Sequence, residues 1–277
     1  MENYLESPNR FVVARGSHKF AYREMGNKTG RPLLLLNHLS ATLDNWDPAL
    51  IDELSQNRWI IVFDNSGIGL SNGTVPTKIE EMADEVAYFI EALNLQEVDL
   101  LGLSMGGFIA QDFTLKYPKM VHQLILVGTG PKGDHKIGDV GKVTNQFLLK
   151  TIFTRQDVKE RLFFTTSTEG KTKAREFIGR LKQRVVVKDQ KIALTAYLRQ
   201  LKAIKKFAND QNDDLTKINA ETLVVNGDTD AMVPTQGSYA IAQQIPNSQL
   251  KIYADAGHTS LFQYPMDFSK VVNEFLN

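Results

Sequence analysis

Leu100-Leu101-Gly102-Leu103-Ser104-Met105-Gly106-Gly107-Phe108 is the stretch on which the reading of this chain turns. An apolar, strand-like run breaks at Gly102 to Gly106, and a helical pattern begins at once, so a G-x-S-x-G sequence stands in the strand-to-helix setting that its chemistry requires. In such a turn the serine is held in a strained backbone conformation with its hydroxyl projecting from the sheet edge. Gly102 and Gly106 are then the positions where strand and helix approach too closely for a side chain. The Met105 N–H opens the helix beside that hydroxyl, where developing negative charge is favoured. A chance Gly-rich turn would lack the flanks found here: Val98, Leu100, Leu101 and Leu103 before it, and Phe108, Ile109 and Gln111 to Leu115 after it, closed by Tyr117-Pro118.

Working outward, strand and helix signals alternate. Towards the N-terminus, Arg10 to Met25 reads as a hairpin broken at Gly16-Ser17, and Leu33 to Leu36 and Trp59 to Phe63 read as strands buried on both faces. Between them lies a short helix around Leu50, Ile51 and Leu54. Pro76 to Glu80 predicts a capping box with Thr77 as N-cap and Glu80 reaching back, followed by the apolar stripe Ile79, Met82, Ala83, Val86, Phe89, Ile90 and Leu93. Towards the C-terminus, Val121 to Val127 is a further buried strand. From Pro131 the pattern changes to helices: one opened by Thr154-x-x-Asp157, one over Lys171 to Arg184, and one over Asp189 to Phe207 with Leu194, Tyr197, Leu198, Leu201 and Ile204 on one face; a strand is needed at most at Val185 to Val187. After the polar linker Asn209 to Asp214 the alternation resumes with Thr222 to Val225, Gln236 to Gln244, Gln249 to Tyr253 and Phe268 to Leu276. This is the pattern of an α/β, mostly parallel, doubly wound sheet with an inserted helical block. Residues 1–130 and 213–277 are expected to form the core domain and 131–212 a helical cap over Ser104.

Composition narrows the chemistry. The 277 residues contain no cysteine, which removes disulfides, thiolate nucleophiles and Cys-based zinc sites. No H-E-x-x-H or comparable spacing points to a metal. Lys+Arg and Asp+Glu both number 32, so no overall basic field points to nucleic acid. The charge is uneven, however: residues 131–210 carry 19 Lys and Arg against 8 Asp and Glu. That surplus reads first as solvated helix faces, with attraction of anionic substrates as the alternative. A polar start, Met1 to Arg10, and the lack of a membrane-length apolar run lead to the expectation of a cytoplasmic protein without a membrane partner. Monomer and homodimer stay equally open.

A serine hydroxyl needs a base, and the base needs a third group to fix its tautomer. Asp230 lies in Asn226-Gly227-Asp228-Thr229-Asp230-Ala231-Met232-Val233-Pro234 after one strand, and His258 in Asp255-Ala256-Gly257-His258 after the next. Asp228 is the rival acid. His18, His122 and His135 read as structural or solvated, and His38 as a residue near the pocket that holds its loop by hydrogen bonds. Asp64 is read as a structural acceptor for turn amides before the Gly-rich loop. Gly128-x-Gly-x-x-Gly133 matches the dinucleotide fingerprint, but no helix opens immediately after it, and a dinucleotide cofactor is not expected.

LLLLNHLSATLDNW, IIVFDNSGIGLS, LLGLSMGG, VVNGDTDAMVP and DAGHTSLFQYP together resemble the α/β-hydrolases, in the branch with cofactor-free haloperoxidases, enol-lactonases and carbon-carbon bond hydrolases. The resemblance covers nearly the whole chain. It implies Ser104 as nucleophile, Asp230 as triad acid, His258 as base, and the Met105 amide as one oxyanion donor. The family pattern has a His-Gly pair before the second donor. Here the pair is His38-Leu39, so Ser40 is the expected donor, with Leu39 as the alternative. The implied activity is hydrolysis of a small ester, lactone or related carbonyl substrate with no cofactor and no metal, with perhydrolysis as a conceivable side reaction. A carbon-carbon bond hydrolase with the same triad, or a non-enzymatic small-molecule receptor on this scaffold, are the alternatives.

Overall fold

The computed structural model of the chain describes residues 3–154, 157–211 and 213–277, with only the backbone for the helical residues 148–154. Its frame is an eight-stranded sheet in the order β1-β2-β4-β3-β5-β6-β7-β8. The hairpin β1 (Arg10–Val13) and β2 (Lys19–Met25) pairs antiparallel, and β2 joins β4 (Ile60–Phe63) antiparallel. From there on β4, β3 (Leu33–Leu36), β5 (Val98–Leu103), β6 (Val121–Val127), β7 (Glu221–Gly227) and β8 (Ser248–Tyr253) are all parallel. Every residue of β3, β4 and β5 is buried, as continuous apolar strands between two helical layers must be. Those layers are formed mainly by α1 (Pro48–Ser55), α2 (Ile79–Ala92), α3 (Met105–Lys116), α8 (Thr235–Gln244) and α10 (Pro265–Phe275), with the single turn α9 (Ser260–Gln263) before the last. Among the described residues no helix is long and apolar enough to cross a membrane.

Between β6 and β7 the chain runs through α4 (Val140–Thr154), α5 (Val158–Phe163), α6 (Thr168–Leu181) and α7 (Leu194–Asn209). Several expectations are corrected here. α4 is not among the helices expected from the sequence. The start expected over Thr154 to Asp157 runs through 155 and 156, outside the described residues, and Asp157 itself caps α5 by accepting from Lys159 N. Val185 to Val187 is not a strand, and α7 begins at Leu194 rather than Asp189. The buried face of α7 is Ala196, Gln200, Ala203, Ile204 and Phe207, while Leu194 and Leu198 are exposed. The junction expected at 212 begins on a residue outside the described ones. In α2 the N-cap is Lys78 and no capping box forms, because Glu80 turns away to pair with Lys132 at 2.9 Å.

Lys132 is nearly buried and also meets Asp112 at 3.3 Å and Asp213 at 3.2 Å. One ammonium thus ties α2 and α3 to both ends of the helical insertion. The basic surplus of the insertion is therefore only partly solvated. Arg180 forks onto the buried Asp47 at 2.7 Å through two nitrogens, and Arg184 donates to the carbonyls of Tyr4, Leu5 and Ser7. Asp64 is structural as read, but its carboxylate accepts from Leu43 N at 3.0 Å, across the sheet end, and not from its own Gly-rich loop.

One buried acid gives the fold a pH dependence. Glu85 of α2 is buried, with Ser66 N donating to it at 3.4 Å, and burial pushes its carboxyl up to about 7 from 4.5. The folded chain keeps a proton that the unfolded chain releases, so stability from this group is full below about 4.5 and is lost as pH rises through 7. Glu85→Gln should melt with wild type near pH 4.5 and above it at pH 8, by an amount on the order of 3 kcal/mol at most. A stability difference that stays constant across that range would contradict the assignment.

Candidate active site

The turn between β5 and α3 puts Ser104 at the carboxyl end of the central strands. Ser104 has φ 56 and ψ −115, a conformation that L-residues avoid and that the surroundings must enforce. They do so by contact: a Cβ on Gly102 would lie 2.4 Å from the Gly106 carbonyl oxygen, and one on Gly106 would lie 2.3 Å from that of Leu36. The strand and the helix can meet at this angle only with glycine at both places. Met105 is the first residue of α3, so its N–H is among those a helix leaves without an internal partner.

The loops after β7 and β8 bring an acid and an imidazole to the same end of the sheet. His258 Nδ1 and Asp230 Oδ2 are 2.8 Å apart, both side chains buried. The other carboxylate oxygen of Asp230 accepts from Met232 N at 2.8 Å and Val233 N at 2.9 Å, which fixes the carboxylate plane. The rival acid does something else: Asp228 accepts from the amides of Asp255 and Ala256, each at 3.2 Å, and braces the loop that carries His258. Ser104 and His258 line one cavity of about 430 Å³. Among the described residues no hydrogen bond joins the Ser104 hydroxyl to His258, and such bonds often tighten only when substrate is bound.

The segment after β3 forms a second wall. His38 Nδ1 lies 2.8 Å from the Leu39 carbonyl oxygen, which can only accept, so Nδ1 carries the proton and Nε2 the lone pair. That Nε2 is buried without a partner. Burial holds the imidazole down to about 3, with the Leu39 carbonyl opposing, so the ring is neutral at ordinary pH. Ser40 sits at φ 58, and its amide donates to Gln200 Oε1 of α7 at 3.0 Å. The backbone N–H expected to face a substrate oxygen is thus already committed, while the Leu39 amide makes no hydrogen bond among the described residues.

The remaining histidines lie elsewhere. His18 meets Ser66, His122 meets Asp99 and His135 meets Asn209. Asn45 and Met232 of the core line the cavity too, and most of the remaining wall comes from the insertion, with Val158, Leu162 and Phe163 of α5 and Tyr197 of α7 the main apolar surfaces and Lys159 the charged one. The ring of Phe163 stands edge-on to His38 at 5.1 Å, and its carbonyl accepts from Thr259 N at 3.2 Å, beside His258. Sequence reasoning missed Gln200, Phe163 and Lys159. Only Gln200 left a trace, as an amide on the otherwise apolar face of α7.

Residues 31–265 match the family described as alpha/beta hydrolase fold. An alpha/beta hydrolase fold protein from Chitinophaga pinensis superposes with a TM-score of 0.94 at 33% identity, covering 100% of this chain and 99% of that one. A thermophilic esterase from Thermogutta terrifontis superposes with a TM-score of 0.73 at 25% identity over 98% of each chain. The 2-hydroxy-6-oxononadienedioate/2-hydroxy-6-oxononatrienedioate hydrolase of Escherichia coli is 28% identical over 227 residues, 78% of this chain and 76% of that protein.

Proposed function

The chain belongs to the alpha/beta hydrolase fold family, and from that premise we propose that it is a serine hydrolase of a small ester, lactone or related carbonyl compound. The observation that carries this is the pairing of His258 with Asp230 at 2.8 Å in the cavity that Ser104 also lines. Ser104 Oγ attacks the carbonyl carbon while His258 Nε2 takes its proton and then hands it to the leaving oxygen. Asp230 holds the Nδ1–H tautomer and offsets the imidazolium charge. The oxyanion receives the Met105 N–H. Its second donor is reassigned from Ser40 to the Leu39 N–H, since Gln200 already occupies the Ser40 amide. Water then attacks the acyl-enzyme by the reverse proton path.

In the same reading residues 131–212 form a cap on a core of 1–130 and 213–277; the run of α4 to α7 between β6 and β7 and their share of the cavity wall support it. His38, neutral and tied to the Leu39 carbonyl, holds the oxyanion loop and carries no proton in the reaction.

Carbon-carbon bond hydrolysis can use the same triad, and the relative named for a 2-hydroxy-6-oxo-dienedioate keeps that substrate in the test. The test is a turnover screen with short p-nitrophenyl esters, lactones and 1,5-diketones. Esters or lactones should turn over repeatedly at roughly 1 to 1000 per second. Turnover confined to the diketones would reverse the choice of bond. A single turnover, or none in any class, would point to a receptor.

A further inference from the structure

Among the described residues that line the cavity with Ser104 and His258, Lys159 carries the one full charge. It stands in the first turn of α5, flanked in the wall by Val158, Leu162 and Phe163, and its side chain is 28% exposed. Nothing in α5 itself calls for a cation there, since the first turn of a helix favours acids. Its acidic neighbour does not use it fully. The Asp157 carboxylate lies 3.6 Å from Lys159 Nζ, beyond the 2.7 to 2.9 Å of a charge-assisted hydrogen bond. The same oxygen already accepts the Lys159 backbone N–H at 3.0 Å as the cap of α5.

Other cations of the insertion are committed differently. Lys132 is held by three carboxylates, Arg180 by Asp47, and Arg184 by main-chain carbonyls of the N-terminal segment. These three cations of residues 131–210 are held away from the cavity by their own partners. Among the described residues, one ammonium, only loosely paired with Asp157, reaches a cavity lined mainly by apolar side chains, with Ser40, Asn45, Thr144, Tyr197 and a neutral His38 as its other polar groups. A point charge beside apolar surface discriminates between an ionised and a neutral group more strongly than the same charge in water.

We propose that Lys159 is the specificity residue of this pocket and that the substrate is an ester or lactone bearing a carboxylate remote from the scissile carbonyl. The proposal rests on the hydrolase reading for its chemistry but not for its binding, and the two are tested apart. The probes for turnover are p-nitrophenyl hemisuccinate, hemiglutarate and hemiadipate, each beside its neutral methyl-ester counterpart, with wild type, Lys159→Met and Lys159→Arg. At the best chain length, kcat/KM for the carboxylate should exceed that of the neutral partner by about tenfold or more. Lys159→Met should bring this ratio to about one, and Lys159→Arg should keep most of it. Because each ratio is taken on one preparation, a fall in folded fraction cancels. The preference should largely survive about 0.5 M salt, since a contact inside the cavity is screened far less than steering from the surface.

Binding is read by calorimetry of monomethyl glutarate against dimethyl glutarate on Ser104→Ala, with and without Lys159→Met. Stronger binding of the monoester that is lost with Lys159→Met, without turnover by wild type, would keep the anion site and sink the hydrolase reading. Turnover with no charge preference at any length, or a preference unchanged by Lys159→Met, would overturn the proposal and leave the hydrolase standing. No binding of the monoester at millimolar concentration would also overturn it.

Discussion

Ser104→Ala is expected to lower kcat for ester hydrolysis by about 10³- to 10⁶-fold with little change in KM, because in the proposed mechanism the hydroxyl supplies the attacking atom and contributes little to ground-state binding. The left-handed backbone at this position is enforced by Gly102, Gly106 and the Leu36 carbonyl, not by the serine side chain. Alanine therefore inherits the same turn and the same strain, and the thermal melt should stay close to that of wild type. The combination matters: a variant that folds normally and does not turn over separates a chemical role from a structural one. Retention of the wild-type rate would mean that Ser104 is not the nucleophile.

Asp230→Asn should cost about 10⁴-fold in kcat, against less than about tenfold for Asp228→Asn. The size of the first loss follows from the hydrogen bonds around the carboxylate. One oxygen of Asp230 accepts from the amides of Met232 and Val233, and an asparagine must turn its carbonyl oxygen to these donors. Its NH₂ group is then aimed at His258 Nδ1, which must answer with a lone pair. The proton moves to Nε2, the nitrogen that in the proposed mechanism has to accept from Ser104. Asp228→Asn keeps one acceptor for the two backbone amides it braces, and the His258–Asp230 pair is untouched. Rates of the two variants check this, together with the imidazole nitrogen shifts of His258, which report the tautomer directly. Equal losses would leave the triad acid without a basis in geometry.

Much of the fold is legible because its strands are written locally. Leu33 to Leu36 and Ile60 to Phe63 are apolar at every position, short runs of the kind that strands buried on both faces of a parallel sheet present. The elbow is legible for a steric reason, since Gly102 and Gly106 stand where a methyl group would overlap a carbonyl. The insertion is harder to read because its helices answer to distant partners. Glu80 has the sequence position of a capping residue but is recruited by Lys132, so the helix start moves. Leu194 and Leu198 continue an apolar period, yet the neighbouring elements pack against Gln200 and Ala203 one step round the helix. The Ser40 amide, which the family pattern expects to face a substrate oxygen, donates to a glutamine 160 positions away. Lys159 resembles any surface lysine until the cavity wall around it is assembled.

The most direct test of a Ser104-centred hydrolase is covalent labelling with a fluorophosphonate, read by intact mass and peptide mapping. This reagent needs an activated serine and an oxyanion site but no knowledge of the natural substrate. The expected result is one adduct per chain, mapped to Ser104, absent from Ser104→Ala and strongly slowed in Asp230→Asn. An adduct on another residue, or labelling of Ser104→Ala at the wild-type rate, would contradict it.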